Sequence, residues 1–184
     1  VHDQFTGMDA AKEPLPWKPQ PGQWTDRDDA NLRVWLERNY DITGKDKISD
    51  ALTAVLTRHS YHPIRDYLNG LQWDGVPRRD KIVIDYMGAE DNALNRAMCR
   101  KHFTAAVARV FQPGCKYDYC LIMSGAEGIG KSTLLAIMGG SWFNDSITTT
   151  EGKEGMEQLR RAWLIELGEL SSIKRSDVEQ VKAY

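Results

Sequence analysis

The sequence predicts an α/β fold: a parallel sheet with flanking helices, incomplete at its C-terminal end and preceded by an α-helical subdomain. Three observations predict it. A glycine-rich stretch, Gly125 to Ser132, follows an apolar run short enough for a buried strand, Tyr119 to Met123, and precedes a helical run that Gly139-Gly140 stops. A second apolar run, Ala162 to Glu169, carries two acids. Ahead of both, apolar residues recur at helical spacing between about Thr25 and Phe111. The implied organisation is an extended proline-rich arm over 1–24, a helical subdomain over 25–114 and a truncated sheet domain over 115–184.

Composition sets the bounds. The chain has 184 residues, 41% of them hydrophobic, enough for one core or one core with a small helical attachment. Its formal charge of −2, from 24 Lys+Arg against 26 Asp+Glu, neither demands nor excludes nucleic acid, because a local basic patch can hide in a balanced chain. No stretch has the form of a signal peptide and no apolar run reaches membrane-spanning length, so no membrane partner is expected. Cys99, Cys115 and Cys120 form no C-x-x-C pair and meet no histidine at zinc spacing, which reads as idle thiols in a reducing cytoplasm. The chain starts without Met and stops at Tyr184 inside an apparent helix, as a fragment of a longer protein would.

Each element has its own warrant. Pro14, Pro16, Pro19 and Pro21 make residues 1–24 an extended arm, with Trp17 and Trp24 available to dock on the folded part. Thr25 or Asp26 caps a helix that carries Leu32, Trp35, Leu36 and Tyr40 on one face. After the turn Asp41 to Gly44, a second helix runs from about Asp46 to His59 on Ile48, Leu52, Val55 and Leu56. Pro63 suits the first position of a short third helix, and Asn69-Gly70 or Asp74-Gly75 suits the turn after it. His59 and His62 lack a third ligand nearby, so they do not read as a metal site. Arg78, Arg79 and Lys81 read first as a solvated loop and second as a contact to a nucleic-acid backbone. A long helix from about Asp91 carries Leu94, Met98, Phe103, Val107 and Val110, and Pro113-Gly114 ends it. Beyond the glycine-rich stretch, Ser141 to Asp145 reads as a strand or extended crossover and Thr148 to Gly155 as a flexible connection. Met156 to Arg160 reads as a helical turn, and Ser176 to Tyr184 as a helix.

The chemistry lies in Gly125-Ala126-Glu127-Gly128-Ile129-Gly130-Lys131-Ser132, which fits the phosphate-loop pattern G-x-x-x-x-G-K-S/T in its strand–loop–helix context. Glycines let successive N–H groups turn inward around a phosphate, and the loop opens a helix at its N-terminus, where free N–H groups favour an anion. Lys131 is placed to reach the β- and γ-phosphates, and the Ser132 hydroxyl to ligate Mg²⁺. With Thr133 in the first helical turn, residues 125–133 are the expected cradle of a nucleoside triphosphate. Such a site also needs a carboxylate at the end of a neighbouring strand, to hold the cation and orient the attacking water. Glu169, at the end of the second apolar run, is the favoured acid; Glu166 is its metal support or its alternative.

Taken in order, several motifs resemble the virulence-associated protein E family. They are His62-Pro63 with Asp66-Tyr67-Leu68, Leu71, Trp73-Asp74-Gly75 and Arg78; Phe111 with Pro113-Gly114-Cys115-Lys116 and Asp118-Tyr119; the phosphate loop; Gly139-Gly140 with Trp142-Phe143 and Asp145; and Glu157-Gln158-Leu159 leading into Trp163 to Leu170. The resemblance covers roughly residues 60–184. It implies an AAA+, superfamily 3 helicase-like ATPase of prophages and mobile elements, using ATP and Mg²⁺ and acting on DNA, single-stranded in the first instance. It further implies a ring-shaped homo-oligomer when intact, and a primase domain or primase partner. Phosphate binding would fall to Gly125, Gly128, Gly130 and Lys131, the cation to Ser132, and the acidic motif to Glu169 with Glu166. Gly168 stands where many related ATPases have a further acid, which leaves the division between the glutamates open. The later sensor residue and arginine finger are not in the sequence, so the fragment is expected to bind nucleotide and hydrolyse it poorly. Two rivals stand beside the DNA motor: a small-molecule kinase, for which Arg160, Arg161 and Arg175 offer thin lid material, and a non-catalytic nucleotide-dependent switch or scaffold.

Overall fold

The structure, a computed structural model, describes residues 1–146 and 159–168. Contacts divide the chain into two compact units, Val1–Gly70 and Leu71–Tyr184. The helices after residue 71 therefore sort with the phosphate loop, whereas composition alone placed the boundary at Gly114.

In the first unit, strand β1 (His2–Asp3) pairs antiparallel with β2 (Met8–Ala11), β2 pairs with β3 (Gly22–Gln23), and β1 pairs parallel with β4 (Ser60–Tyr61). The β1–β2 turn closes on Asp3, whose carboxylate accepts the Phe5 N–H at 2.8 Å and the Thr6 hydroxyl at 2.9 Å. Eight of the 24 residues of the expected arm are thus in strands, and the four prolines lie between β2 and β3. Strands of two to four residues are too short to show a period, and the partner β4 lies far along the chain. Both tryptophans dock onto helix α1 (Asp26–Tyr40): the Trp17 indole N–H donates to Asp28 at 3.0 Å and that of Trp24 to Asp29 at 2.8 Å. Asp28 is buried and also accepts the Thr25 backbone N–H at 2.9 Å, the capping geometry that starts the helix. Burial pushes its pKa up, but the hydrogen bonds from Thr25, Trp17 and Lys18 outweigh that and hold it below the ordinary value. Helices α2 (Lys45–Arg58) and α3 (Pro63–Gly70) complete the unit and bury Ile48 and Ile64.

The second unit opens with a 3₁₀ turn (Arg79–Lys81) and a short helix, α4 (Ile82–Met87). Its central element is the long helix α5 (Ala93–Phe111). Asn92 caps α5 by accepting the Asn95 N–H at 2.8 Å, and Cys99, Phe103, Ala105 and Val110 are its buried face. Then come helix α6 (Lys131–Gly139), a 3₁₀ turn (Gly140–Trp142), and strands β5 (Phe143–Asn144) and β6 (Leu164–Ile165), which pair in parallel.

The run Tyr119 to Met123, expected as a buried strand, is irregular, with Tyr119 67% and Ile122 58% exposed. A strand requires a neighbour to take its N–H and C=O groups, and among the described residues no strand pairs with this run. The helical turn expected over Met156 to Arg160 is described only at Leu159 and Arg160, which are helical. Thr148 to Gly155 and Ser176 to Tyr184 lie outside the described residues.

Candidate functional site

The site is built where α6 begins and β6 ends. The loop before α6 needs glycine at two positions: Gly128 has φ +78° and Gly130 has φ +92°, both in the left-handed region that other residues resist. Gly130 is the N-cap of α6. Lys131, the first helical residue, folds its side chain back over the loop. Its Nζ donates to the carbonyls of Gly125 at 3.0 Å and Ala126 at 2.8 Å, so the cation and the loop backbone form one closed ring. Ile129 packs its Cδ1 close under Gly125, 2.8 Å from where a Cβ would sit. Glu127 lies exposed at the tip, and Thr133 is exposed in the first helical turn.

Strand β6 brings the acid. Its ladder with β5 continues past the paired residues at both ends: the Trp163 N–H donates to the Trp142 carbonyl at 2.7 Å, and the Glu166 N–H to the Asn144 carbonyl at 2.9 Å. Successive side chains of a strand point to opposite faces. Leu164 accordingly packs toward α6, where its Cβ lies 3.4 Å from the point a Cβ on Gly139 would occupy. Glu166, two residues on, faces the same helix at its other end. There the Ser132 hydroxyl donates to Glu166 Oε1 at 2.6 Å. Glu166 Oε2 is buried and has no hydrogen-bond partner among the described residues. A carboxylate oxygen in that state is costly unless a cation or donor meets it.

The structure thus gathers Gly125, Ala126, Gly128, Gly130, Lys131, Ser132 and Glu166. Glu169, the favoured acid from the sequence, lies outside the described residues. Among the described residues no group of three or more His, Cys, Asp or Glu side chains forms a metal cluster. His62 instead accepts the Arg65 N–H on its Nδ1 at 3.3 Å, at the start of α3.

The basic cluster is tied into ion pairs. Arg78 meets Asp74 at 2.7 Å, Arg79 and Arg100 converge on Asp80 at 2.9 and 2.8 Å, and Arg96 meets Asp91 at 2.7 Å with Lys81 3.9 Å from it. Of these, the Arg100–Asp80 pair ties the 3₁₀ turn to α5. Hydrogen bonds from the arginines hold the carboxyls of Asp74 and Asp80 down to about 2. Trp73, within the same motif, is 78% exposed.

Sequence reasoning missed Trp163 and Asn144. Trp163 is half-buried and its indole N–H donates to the Ala106 carbonyl of α5 at 2.8 Å. Nothing in a local pattern marks a tryptophan next to an acidic strand as a bridge to a helix more than fifty residues earlier.

A glycine loop, a lysine, a hydroxyl and a strand-end carboxylate define a class of site suited to an anion and a cation together. Residues 68–184 match the virulence-associated protein E-like domain, and the chain belongs to that family. The match begins within three residues of the second compact unit. No curated protein matches the chain. No helix among the described residues is long and apolar enough to cross a membrane.

Proposed function

We propose that the chain is the nucleotide-binding part of an α/β phosphate-loop ATPase that binds and hydrolyses ATP with Mg²⁺. The observation that carries the proposal is the 2.6 Å contact between Ser132 and Glu166, with the second Glu166 oxygen buried and unmet among the described residues. Mg²⁺ keeps most of its water and takes one or two protein oxygens beside the substrate phosphates, so one hydroxyl and one carboxylate are a fitting protein share. In this reading the N–H groups of 128–133 and Lys131 hold the phosphates. Ser132 and Glu166 hold the cation, and Glu169 orients the attacking water. When bound, Mg²⁺ neutralises charge on the phosphoryl oxygens. This reading gives the cation to Glu166, the alternative acid of the sequence, and leaves Glu169, outside the described residues, for the water.

Family membership supports the wider reading: in the intact protein this ATPase is a DNA motor of a prophage or mobile element, a ring-shaped homo-oligomer acting on single-stranded DNA with a primase domain or partner. The test is ATP turnover by the full-length protein with and without single-stranded DNA, beside Lys131→Ala. Stimulation by DNA together with a folded, inactive lysine variant is the expected result. Turnover indifferent to DNA removes the motor and leaves a switch or another phosphate-loop enzyme. A lysine variant as active as the wild type removes the nucleotide site itself.

A further inference from the structure

We infer that Trp163 is a positioning residue for Glu166, and that through it helix α5 sets the height of the carboxylate against Ser132. The inference rests on the function proposed above for Glu166.

The two faces of β6 carry different duties. Leu164 and Glu166 face α6, as the Gly139 and Ser132 contacts show. Trp163 is of the opposite parity and reaches α5, where its indole N–H donates to the Ala106 carbonyl at 2.8 Å. Ala106 lies inside α5, so this donor shares a carbonyl already placed within a helical ladder. Indole has one donor and no acceptor, so the bond fixes a single orientation of the ring.

The main chain carries the constraint onward. Trp163 N–H to Trp142 and Glu166 N–H to Asn144 bracket the strand, 2.7 and 2.9 Å long. A strand rises about 3.3 Å per residue, so the indole anchor stands about 10 Å behind the carboxylate along a segment with no slack between the two ladder bonds. Among the described residues only two of β6 are paired in register, so its position along β5 is also set by side-chain anchors, buried Leu164 against α6 and Trp163 against α5. A shift of well under one residue would separate Ser132 Oγ from Glu166 Oε1, whose contact is already at the short end of O–H···O distances.

Two replacements in the full-length protein test this. Trp163→Phe keeps an aromatic ring and removes the donor; the benzothiophene analogue of tryptophan keeps the two-ring shape and removes only the N–H. Outer-shell groups that orient a metal-binding side chain are worth ~10–100-fold in metal affinity or activity. The expected result is a rise of that size in the Mg²⁺ concentration needed for ATP binding and turnover, unchanged nucleotide binding in EDTA, and no further loss when Glu166→Gln is already present. Hydrogen exchange at the Glu166 amide should quicken, while the amides of the α5 core should not.

A wild-type Mg²⁺ requirement in the analogue protein overturns the inference, as does an equal loss in the Glu166→Gln background. If Trp163→Phe fails to fold, the analogue decides. If the wild type binds no nucleotide, the proposed function fails, and exchange at the Glu166 amide still decides the positioning role. Unchanged protection in the analogue protein refutes it.

Discussion

Gly139→Ala adds one methyl group where α6 closes on β5 and β6. Gly139 is the last residue of α6 and its φ of −81° suits any residue, so backbone strain plays no part. The obstacle is space. The new Cβ would stand 2.8 Å from Phe143 Cβ and 3.4 Å from Leu164 Cβ. Neither atom is the tip of a flexible side chain, so α6 must lift from β5 and β6 for the methyl to fit. Overpacking of this kind costs about 1–3 kcal/mol. Alanine's helix propensity returns at most about 1 kcal/mol, and less at a helix end. The net expectation is a loss of about 1–2 kcal/mol, which for a domain of this size lowers Tm by roughly 2–8 °C. The lift should also separate Ser132 from Glu166, since both ends of α6 rest on the same strand face. Thermal unfolding beside Mg²⁺-dependent nucleotide binding reads both effects. A variant as stable as the wild type would show that helix propensity outweighs the contact, and the close seating of α6 on β6 would be refuted.

Gly128→Ala and Gly130→Ala meet no atom within 4 Å but place a side chain at φ +78° and +92°, so nucleotide affinity should fall with little loss of core stability; retention of affinity, measured by nucleotide titration, would show that the loop tolerates another path. Asp74 and Asp80 have pKa values held at about 2, below the 3.8 of the free side chain, so their ion pairs stabilise the fold fully above about pH 4. That contribution is lost as pH falls through 2, and Asp80→Asn should flatten the acid limb of a melting curve between pH 5 and 2. Glu166→Gln should weaken nucleotide binding only when Mg²⁺ is present, whereas Glu169→Gln should bind Mg²⁺–ATP normally and fail to hydrolyse it. Titrations in EDTA and in Mg²⁺ separate them, and identical behaviour would end the division of roles.

What could be read from the sequence was chiefly what local chemistry dictates. Helices α1, α2 and α3 start within a residue of the expected Thr25, Asp46 and Pro63, because caps and 3.6-residue spacing act within one element. The turn into α6 was legible for the same reason: glycine at 128 and 130 answers a demand of the backbone alone. Pairing is another matter. β1 to β4 are short, and their register depends on partners from both ends of the unit, so no local pattern marks the strands that flank the proline-rich stretch. Tyr119 to Met123 had the composition of a strand, yet no strand beside it is described to make it one. The sequence favours Glu169 because it stands at the end of the apolar run; that residue lies outside the described residues, and the ladder bond from Glu166 to Asn144 carries the pairing as far as Glu166.

The parity of β6 explains why its short span matters beyond its length. One residue, Leu164, presses on the C-terminal end of α6, and the next on that face, Glu166, meets the N-terminal end. Ser132 and Gly139 are seven residues apart, a rise of about 10 Å along the helix, whereas Leu164 and Glu166 stand about 7 Å apart along the strand. The carboxylate must reach along the helix as well as toward it, which its two-methylene stem allows and an aspartate's single methylene would not. On the other face, Trp163 fixes the strand's axial position against α5. The helix therefore supplies the hydroxyl and the strand supplies the reach. Glu166→Asp should accordingly behave like Glu166→Gln in Mg²⁺-dependent binding although it keeps the charge, and full activity in that variant would show that α6 and β6 approach one another more freely than the Gly139 contact permits.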